Sequence, residues 1–532
     1  MSMSTMSEPK SESVIQQASS LKEKGNQEYS RAAWNDAYTS YKAGINLLLP
    51  PVDNASASSS SNGDDNQQQQ RQQSEALLTL LYCNRSATCL QMGRHADGLE
   101  DAMRSAASDP TFARAYLRAG DCCIGMKRYK EAKEHYLQCI LNIKVDPEDK
   151  TMTKHNQLLT QATNGLNNSK MKLFYDPILR GNDAHYSKLE LRYLDNVKEK
   201  SLIATVDIKK GDIVFVDTPF AHIAHPLCVQ VNKDIQCYHC MGCLEGEKVA
   251  CRGGCNALFC SLECSHASWN TYHIQQCCKE DGNNPIAKYR QMIKGAPSEP
   301  QLLLAERILA TISQSLKQRK AKNCNLAFGT AQHLKRGPLM RQQARFNGDN
   351  LVELQAQYQP VTNLLKEAYG AKESGDAIQH SMDSILQEEL DKLLSNDFFD
   401  NLLGLINFNS SATVVKIPAS LQPPAPSVSL KAAKGKSKAK TVAAPPKRLD
   451  MWGVGLFPIF SCMNHSCLPN IELSNERIDG VTCAMMVVRA KKNIKAGQEI
   501  LNTYCDETMP TRERQEQLKS QYDFQCKCSK CN

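Results

Sequence analysis

The sequence predicts a multidomain α+β chain, with an all-α helical stack first and then a β-rich part split by a cysteine cluster and a helical insert. Three observations predict it. Small and large residues recur at a spacing of about 34 before Pro147. The period of the apolar residues then shortens towards two from Leu189. From Cys237 onward, cysteines pair at the spacings of metal ligands. At 532 residues and 41% apolar side chains, the chain is too long for one core and reads as three or so domains.

The totals exclude several classes. There is no run of eighteen apolar residues and no charged-then-apolar start, so the chain reads as soluble, not secreted and without a membrane span. Disulfides are not expected of such a chain, and its 23 cysteines ask for metal instead. Cys83, Cys89, Cys122, Cys123 and Cys139 fall on predicted helices and read as small apolar core residues. The net charge of +8 is concentrated in Lys431, Lys434, Lys436, Lys438, Lys440, Lys447 and Arg448; setting these seven aside leaves +1 elsewhere. Direct nucleic-acid binding is therefore not expected. The basic tract itself reads as a solvated loop, with nuclear import or an acidic surface as the other reading, so the chain is expected in cytoplasm and nucleus.

The elements follow in order. Residues 1–17 are polar and Ser-rich and are expected to be disordered. Three helix pairs occupy residues 18–150, beginning at Leu21, Leu81 and Ala115 and ending near Pro50, Pro110 and Pro147. They read as tetratricopeptide units, and three suffice for a stable stack. A Ser, Asn, Asp and Gln stretch, 51–74, reads as a flexible insert, and 151–173 as a capping helix. The first β part spans 174–236, with runs 201–206 and 212–216 expected to pair across a Lys-Lys-Gly turn. The cysteine cluster follows at 237–278. Helices are expected over 279–412, including 301–316 and 384–406, and a disordered basic insert over 413–448. The β part resumes over 449–525, with strands near 481–488 and 499–503 and a helix at 511–521, before the last cysteines in 526–532.

In the cluster, Cys237-x2-Cys240, Cys251-x3-Cys255, Cys260-x3-Cys264 and His273-x3-Cys277 supply eight ligands, enough for two tetrahedral zinc sites. Cys240-x2-Cys243 is a competing pair. The series resembles the MYND zinc finger, whose interleaving assigns Cys237, Cys240, Cys260 and Cys264 to one zinc and Cys251, Cys255, His273 and Cys277 to the other. Cys251-x3-Cys255 is one residue longer than that finger usually has, and Gly253-Gly254 could absorb it. The resemblance also implies a Pro-rich partner. A third zinc site is expected from Cys526-x-Cys528-x2-Cys531, which needs a fourth thiolate from elsewhere, with Cys467 the candidate.

Asn464-His465-Ser466-Cys467-Leu468-Pro469-Asn470, then Tyr504, Phe524 and the terminal C-x-C-x2-C, resemble the SET domain of protein lysine methyltransferases. Together with the finger and repeats, this is the order of parts in SET- and MYND-domain enzymes (the SMYD family) of the branch carrying N-terminal tetratricopeptide repeats. The resemblance implies a SET β-fold split by the finger and the helical insert, closed by a post-SET zinc knuckle and a segment threaded under a loop. It implies methyl transfer from S-adenosylmethionine to a lysine of a protein substrate, histone or non-histone. Tyr504 and Tyr522 would line the lysine channel, with Tyr504 also at the cofactor. Phe524 would pack on adenine, Asn464 would use its side-chain amide near the methionine part, and His465 its backbone near adenine. Asn409 would touch ribose or carboxylate, with Asn407 competing. One departure is the replacement of the family's Gly-x-Gly by Glu199-Lys200-Ser201, which crowds the methionine pocket and leaves Lys200 to compensate for Glu199. That departure favours the alternative reading, a catalytically weak chaperone-linked adaptor.

Lys22, Asn26, Asn84, Arg114 and Arg118 resemble, residue by residue, the two-carboxylate clamp of chaperone adaptors. The implied partner is an Hsp90- or Hsp70-type acidic C-terminal tail.

Overall fold

The computed structural model describes residues 13–49, 65–143, 152–181, 186–194, 200–232, 234–278, 284–329, 331, 334, 351–370, 377–417, 420, 450–476 and 485–532. Two compact units emerge. One holds Met1–Ile178 with Arg192–Glu199, the other Leu179–Leu191 with Lys200–Asn532. No described helix is long and apolar enough to cross a membrane.

The first unit is a run of antiparallel helices: α1 (Val14–Ser30), α2 (Trp34–Leu48), α3 (Asp65–Gln91), α4 (His95–Ser108), α5 (Ala113–Gly125) and α6 (Tyr129–Asn142), then α7 (Met152–Gly181). Close packing needs a small residue opposite a large one. A Cβ on Gly25 would lie 2.5 Å from the Tyr41 ring, and one on Gly120 would lie 2.7 Å from Tyr136. The turn within each pair is made by a residue of positive φ at the same place: Ala32 (58°), Gly93 (70°) and Lys127 (60°). Arg85 and Asp101 tie α3 to α4 by a buried bidentate pair at 2.6 and 2.7 Å.

Three boundaries differ from expectation. Helix α1 starts at Val14, inside the stretch 1–17, because Ser13 and Gln16 form a reciprocal capping box. Residues 65–74 of the expected flexible insert are the first turns of α3, where Gln and Arg, good helix formers, propagate the helix and Arg71 meets Glu75 at 3.3 Å. Residues 51–64 lie outside the described residues. The capping helix α7 continues past 173 to Gly181.

The second unit holds small sheets. Strands β1 (Leu189–Tyr193) and β2 (Lys200–Ala204) pair, as do β3 (Ile213–Asp217), β10 (Ile471–Glu476) and β11 (Met485–Ala490) in the order β10-β11-β3. β4 (Ala221–Ala224), β7 (Ser410–Val415) and β8 (Met451–Leu456) form the sheet β4-β8-β7. The cysteine segment carries the two-residue strands β5 (Val249–Ala250) and β6 (Leu258–Phe259). Strands β9 (Asn464–His465) and β12 (Leu501–Asn502) pair in parallel. The expected hairpin of the runs near 201–206 and 212–216 does not form: β2 takes the preceding strand β1 and β3 takes the distant β11, because pairing with these strands outweighs a favourable local turn. Strand β7 extends to Val415, so the expected disordered insert 413–448 starts too early; 421–449 lie outside the described residues.

The helices of this unit are α8 (Pro226–Asn232), α9 (Leu262–Ser268), α10 (Pro285–Ile293), α11 (Glu299–Lys317), α12 (Cys324–Phe328), α13 (Leu351–Tyr369), α14 (Ala377–Leu393), α15 (Asn396–Asn409) and α16 (Thr511–Tyr522). The stretch expected as one helix over 384–406 is two, broken where Ser395 caps α15 by accepting from Phe398 N. Helix α11 is the hub: Glu306, 1% exposed, accepts from Arg290, Gln276 and Tyr369 at 2.8–3.1 Å.

Candidate active site and metal centres

A single stretch organises the site. Residues 497–502 are bonded on one edge to β2, through Gly497 N to Ala204 O, Ala204 N to Gln498 O and Ile500 N to Leu202 O at 2.8–2.9 Å. On the other edge they carry β12, in register with β9 as Leu501 to Asn464 and Asn502 to His465. Asn470 clamps the crossing: its Nδ2 donates to Glu499 O and its Oδ1 accepts from Leu501 N, both at 2.8 Å. A segment held on both edges delivers Tyr504 to a fixed place.

Tyr504 is half-buried; its amide donates to His465 Nδ1 at 2.9 Å, and its phenol donates to the carbonyl of Met463. Burial pushes that phenol up, so it stays protonated. The Tyr522 ring lies tilted 4.8 Å from Tyr504 and edge-on 5.3 Å from Phe408, while Phe524 lies 5.8 Å from His465 and 6.4 Å from Tyr504, all centroid to centroid. These four expected site residues, Tyr504, Tyr522, Phe524 and His465, are thus brought together.

Asn464 joins them, with its chemistry altered from expectation. Its Nδ2 donates to Lys200 O at 2.9 Å and to Glu499 Oε1 at 2.8 Å, so both amide hydrogens serve the fold and Oδ1 is the atom on offer. Ser201 is fully buried and donates to the same Glu499 oxygen at 2.6 Å, which turns its side chain into the fold instead of crowding a pocket. Glu199 lies outside the described residues. Asn409 is buried at the end of α15, donating to Leu405 O at 2.8 Å while its carbonyl accepts from Ser461 at 3.0 Å, two residues ahead of Met463; Asn407 is exposed.

Eleven cysteines and His273 gather as three groups of four. Ligand atoms lie within 4.8 Å of one another in Cys237, Cys240, Cys260 and Cys264; in Cys251, Cys255, His273 and Cys277; and in Cys467, Cys526, Cys528 and Cys531. Tetrahedral zinc with Zn–S near 2.3 Å needs sulfurs about 3.8 Å apart. The separations fit: 3.6 Å for Cys240 and Cys260, 3.7 Å for Cys251 and Cys277, 3.5 Å for Cys467 and Cys531, and 3.9 Å for Cys467 and Cys526. Cys243 stands apart, packed on Ile235, Ile417 and Met451, which leaves Cys237 in the group. The extra residue between Cys251 and Cys255 is taken up at Gly254 (φ 79°), and a Cβ on Gly253 would strike Cys277 Sγ at 2.5 Å.

Two residues escaped the sequence reading. Glu499 holds Asn464 and Ser201 together, yet reads as an ordinary acid at a strand start. Arg514, 2% exposed, donates to Cys467 Sγ at 3.3 Å and Cys531 Sγ at 3.5 Å, although α16 is polar nearly throughout. The available signal was spacing: Arg514 stands four residues before Leu518, the helix's other buried side chain.

In the first unit, Asn84 Nδ2 donates to Asn26 Oδ1 at 3.0 Å, Lys22 pairs with Glu23 at 3.1 Å and Arg118 with Asp121 at 3.5 Å. Burial pushes the Cys83 thiol up, opposed by Arg118 and Arg114, which both face it beside Asn84.

The SET-domain model matches residues 199–505, more than half of the chain, and a tetratricopeptide-repeat model matches 113–142. Among curated proteins, protein-lysine N-trimethyltransferase SMYD5 of Mus musculus is 26% identical over 391 residues, covering 66% of this chain and 88% of that protein. Protein-lysine N-methyltransferase SMYD4 of Pongo abelii is 21% identical over 578 residues, covering 96% of this chain and 66% of that protein. Among solved structures, the Arabidopsis OM64 TPR domain is 24% identical, covers 28% of this chain and 97% of that chain, and has a TM-score of 0.19. With repeats ahead of a SET match of this extent, and with likeness to SMYD4 along nearly its whole length, the chain belongs to the SET-domain family.

Proposed function

We propose that the protein is an S-adenosylmethionine-dependent protein-lysine N-methyltransferase of the SMYD type, with a MYND finger holding two zinc ions, a post-SET knuckle holding a third, and repeats that dock an acidic C-terminal tail of the Hsp90 or Hsp70 kind. The observation that carries it is the placement of Tyr504: a protonated phenol bonded to the Met463 carbonyl, walled by Tyr522 and Phe524, beside Asn464.

The donor, when bound, supplies a methyl group on a sulfonium. Asn464 Oδ1 would accept from its α-ammonium, a role the amide orientation suits because Lys200 O and Glu499 hold the nitrogen side. Lys200, whose carbonyl holds Asn464, and Asn409, whose carbonyl accepts from Ser461, are proposed cofactor contacts, as is the Phe524 ring. Transfer needs a neutral amine in line with the methyl. The aromatic walls of Tyr504 and Tyr522 would desolvate a lysine ammonium and lower its pKa, so that its proton is given up to bulk water and the neutral amine is held between the rings. Tyr504 then holds the nitrogen, and positioning of this kind is worth about 10²-fold or more.

Tyr504→Phe is expected to lower methyl transfer by about 10²-fold or more with zinc content unchanged, read by methyl incorporation and metal analysis. Full activity in that variant would remove Tyr504 from the mechanism. Calorimetry decides between enzyme and adaptor: no heat with millimolar S-adenosylmethionine would leave the adaptor. Cytoplasmic and nuclear residence is part of the proposal, and a fluorescent fusion excluded from either compartment would reject it.

A further inference from the structure

His465 stands between two features that the proposed reaction treats separately. Its Nδ1 accepts the Tyr504 amide at 2.9 Å, and its Nε2 lies 3.2 Å from Cys467 Sγ. A ring nitrogen that accepts from an amide carries no proton, so the proton of the neutral imidazole sits on Nε2, aimed at the sulfur. One competing use of these atoms exists. The ligand atoms of His465, Cys467 and Cys505 also lie within 4.8 Å of one another, as a metal trio would. A metal on Nε2 would move the ring proton to Nδ1, where it would face the Tyr504 N–H, donor against donor. The trio is therefore poor as a metal site, and His465 is well placed as a donor to a thiolate that another metal already holds.

We propose that His465 is a positioning residue that couples the terminal knuckle to the catalytic tyrosine: Nε2–H donates to the Cys467 thiolate of a metal-filled knuckle, and Nδ1 thereby presents a fixed acceptor to the Tyr504 amide. The parallel pairing of β9 with β12 holds both ends of this relay, since His465 faces Asn502 two residues before Tyr504. Filling the knuckle turns Cys467 from a thiol into a thiolate acceptor, which fixes the ring and with it the tyrosine. The inference rests on the knuckle being a metal centre, as in the proposed function, but not on methyl transfer.

The test uses the full chain without cofactor, with cobalt in place of zinc. In His465→Asn the shorter side chain reaches the Nδ1 position and keeps the Tyr504 acceptor but not the donor to sulfur. In His465→Gln the amide nitrogen reaches the Nε2 position and keeps the donor but not the acceptor. Both are expected to retain the part of the cobalt spectrum that Cys528→Ser removes from the parent, with the sulfur-to-cobalt band of that difference shifted in His465→Asn alone. Amide hydrogen exchange at Tyr504 is expected to quicken at least tenfold in His465→Gln. Cys528→Ser is expected to quicken it at least tenfold in the parent but less than threefold in His465→Asn, whose link to the metal is already cut. Equal acceleration by Cys528→Ser in both backgrounds would overturn the relay. So would loss of that difference spectrum in either His465 variant, or a knuckle that takes no cobalt. Absent methyl transfer with the expected exchange pattern would sink the enzyme reading and leave the relay standing.

Discussion

The cysteine segment and the terminal knuckle gather their candidate metal ligands in opposite ways. The eight ligands of the first fall between Cys237 and Cys277, and the shell around them is local: Tyr238, Phe259, Trp269 and Tyr272 all pack within 6.5 Å of the His273 ring. The knuckle has three ligands in one short run and takes the fourth, Cys467, from 59 positions before Cys526. That fourth ligand sits two residues past β9, next to the ring that receives Tyr504. A metal in the first region fixes a segment too short to have its own core. One in the second would also fix the ring that accepts the Tyr504 amide. The difference lies in where the last ligand comes from, not in the metal chemistry.

The sharpest way to break this contrast is to remove one ligand from each region. Cys528→Ser is expected to cost one zinc equivalent and to weaken S-adenosylmethionine binding about 10- to 100-fold, read by metal analysis and calorimetry. Cys251→Ser is expected to cost one zinc equivalent from the finger with cofactor affinity changed less than about threefold. Equal losses of affinity would erase the distinction.

A region without metal provides the control. Lys22→Glu with Arg118→Glu is expected to weaken binding of an acidic C-terminal peptide at least tenfold, since each lost charge-assisted bond is worth about 1.5–3 kcal/mol. Zinc content should stay as in the parent. Unchanged peptide affinity in fluorescence anisotropy would reject the clamp.

The smallest effect is at the border of the finger. His222 is buried and donates from Nε2 to His239 O at 2.6 Å, and burial pulls its pKa down to about 3. The unfolded chain, with an ordinary histidine near 6.5, binds more protons between these values, so this group's contribution is lost as pH falls from about 6.5. His222→Gln keeps the donor and removes the titration. Urea midpoints of parent and variant should therefore draw apart as pH falls from 7 to 5, the parent losing ground. Parallel profiles would show that His222 stays out of the acid response.

Much of this contrast was legible in the sequence, because ligand spacing is local. Three thiolates at the end of the chain are one short of a tetrahedron, and Cys467 was the natural fourth. The helical repeats were legible for the same reason: Gly25 and Tyr41, or Gly120 and Tyr136, declare a small residue against a large one. What could not be read depends on partners far along the chain. Nothing near Glu499 says that Ser201, 298 positions away, donates to it, and nothing in a polar helix marks Arg514 as buried. Strands β2 and β3 looked like a hairpin because their turn is a good one, but the sheet was decided by β1 and β11. Asn464 was expected to act through its side-chain amide, and only the carbonyl of Lys200 and the carboxylate of Glu499 reveal that the amide hydrogens are spent and Oδ1 is the end on offer.

The threading of residues 497–502 between β2 and β9 also sets an order of events during synthesis. Neither edge can be joined until the finger, the helical insert and β9 have been made, and the ring of Tyr504 waits for the cysteines that follow it. Contacts of such sequence separation close slowly. A nascent chain that has reached only β9 already carries its helical repeats and cysteine segment, with the place that receives Tyr504 still open.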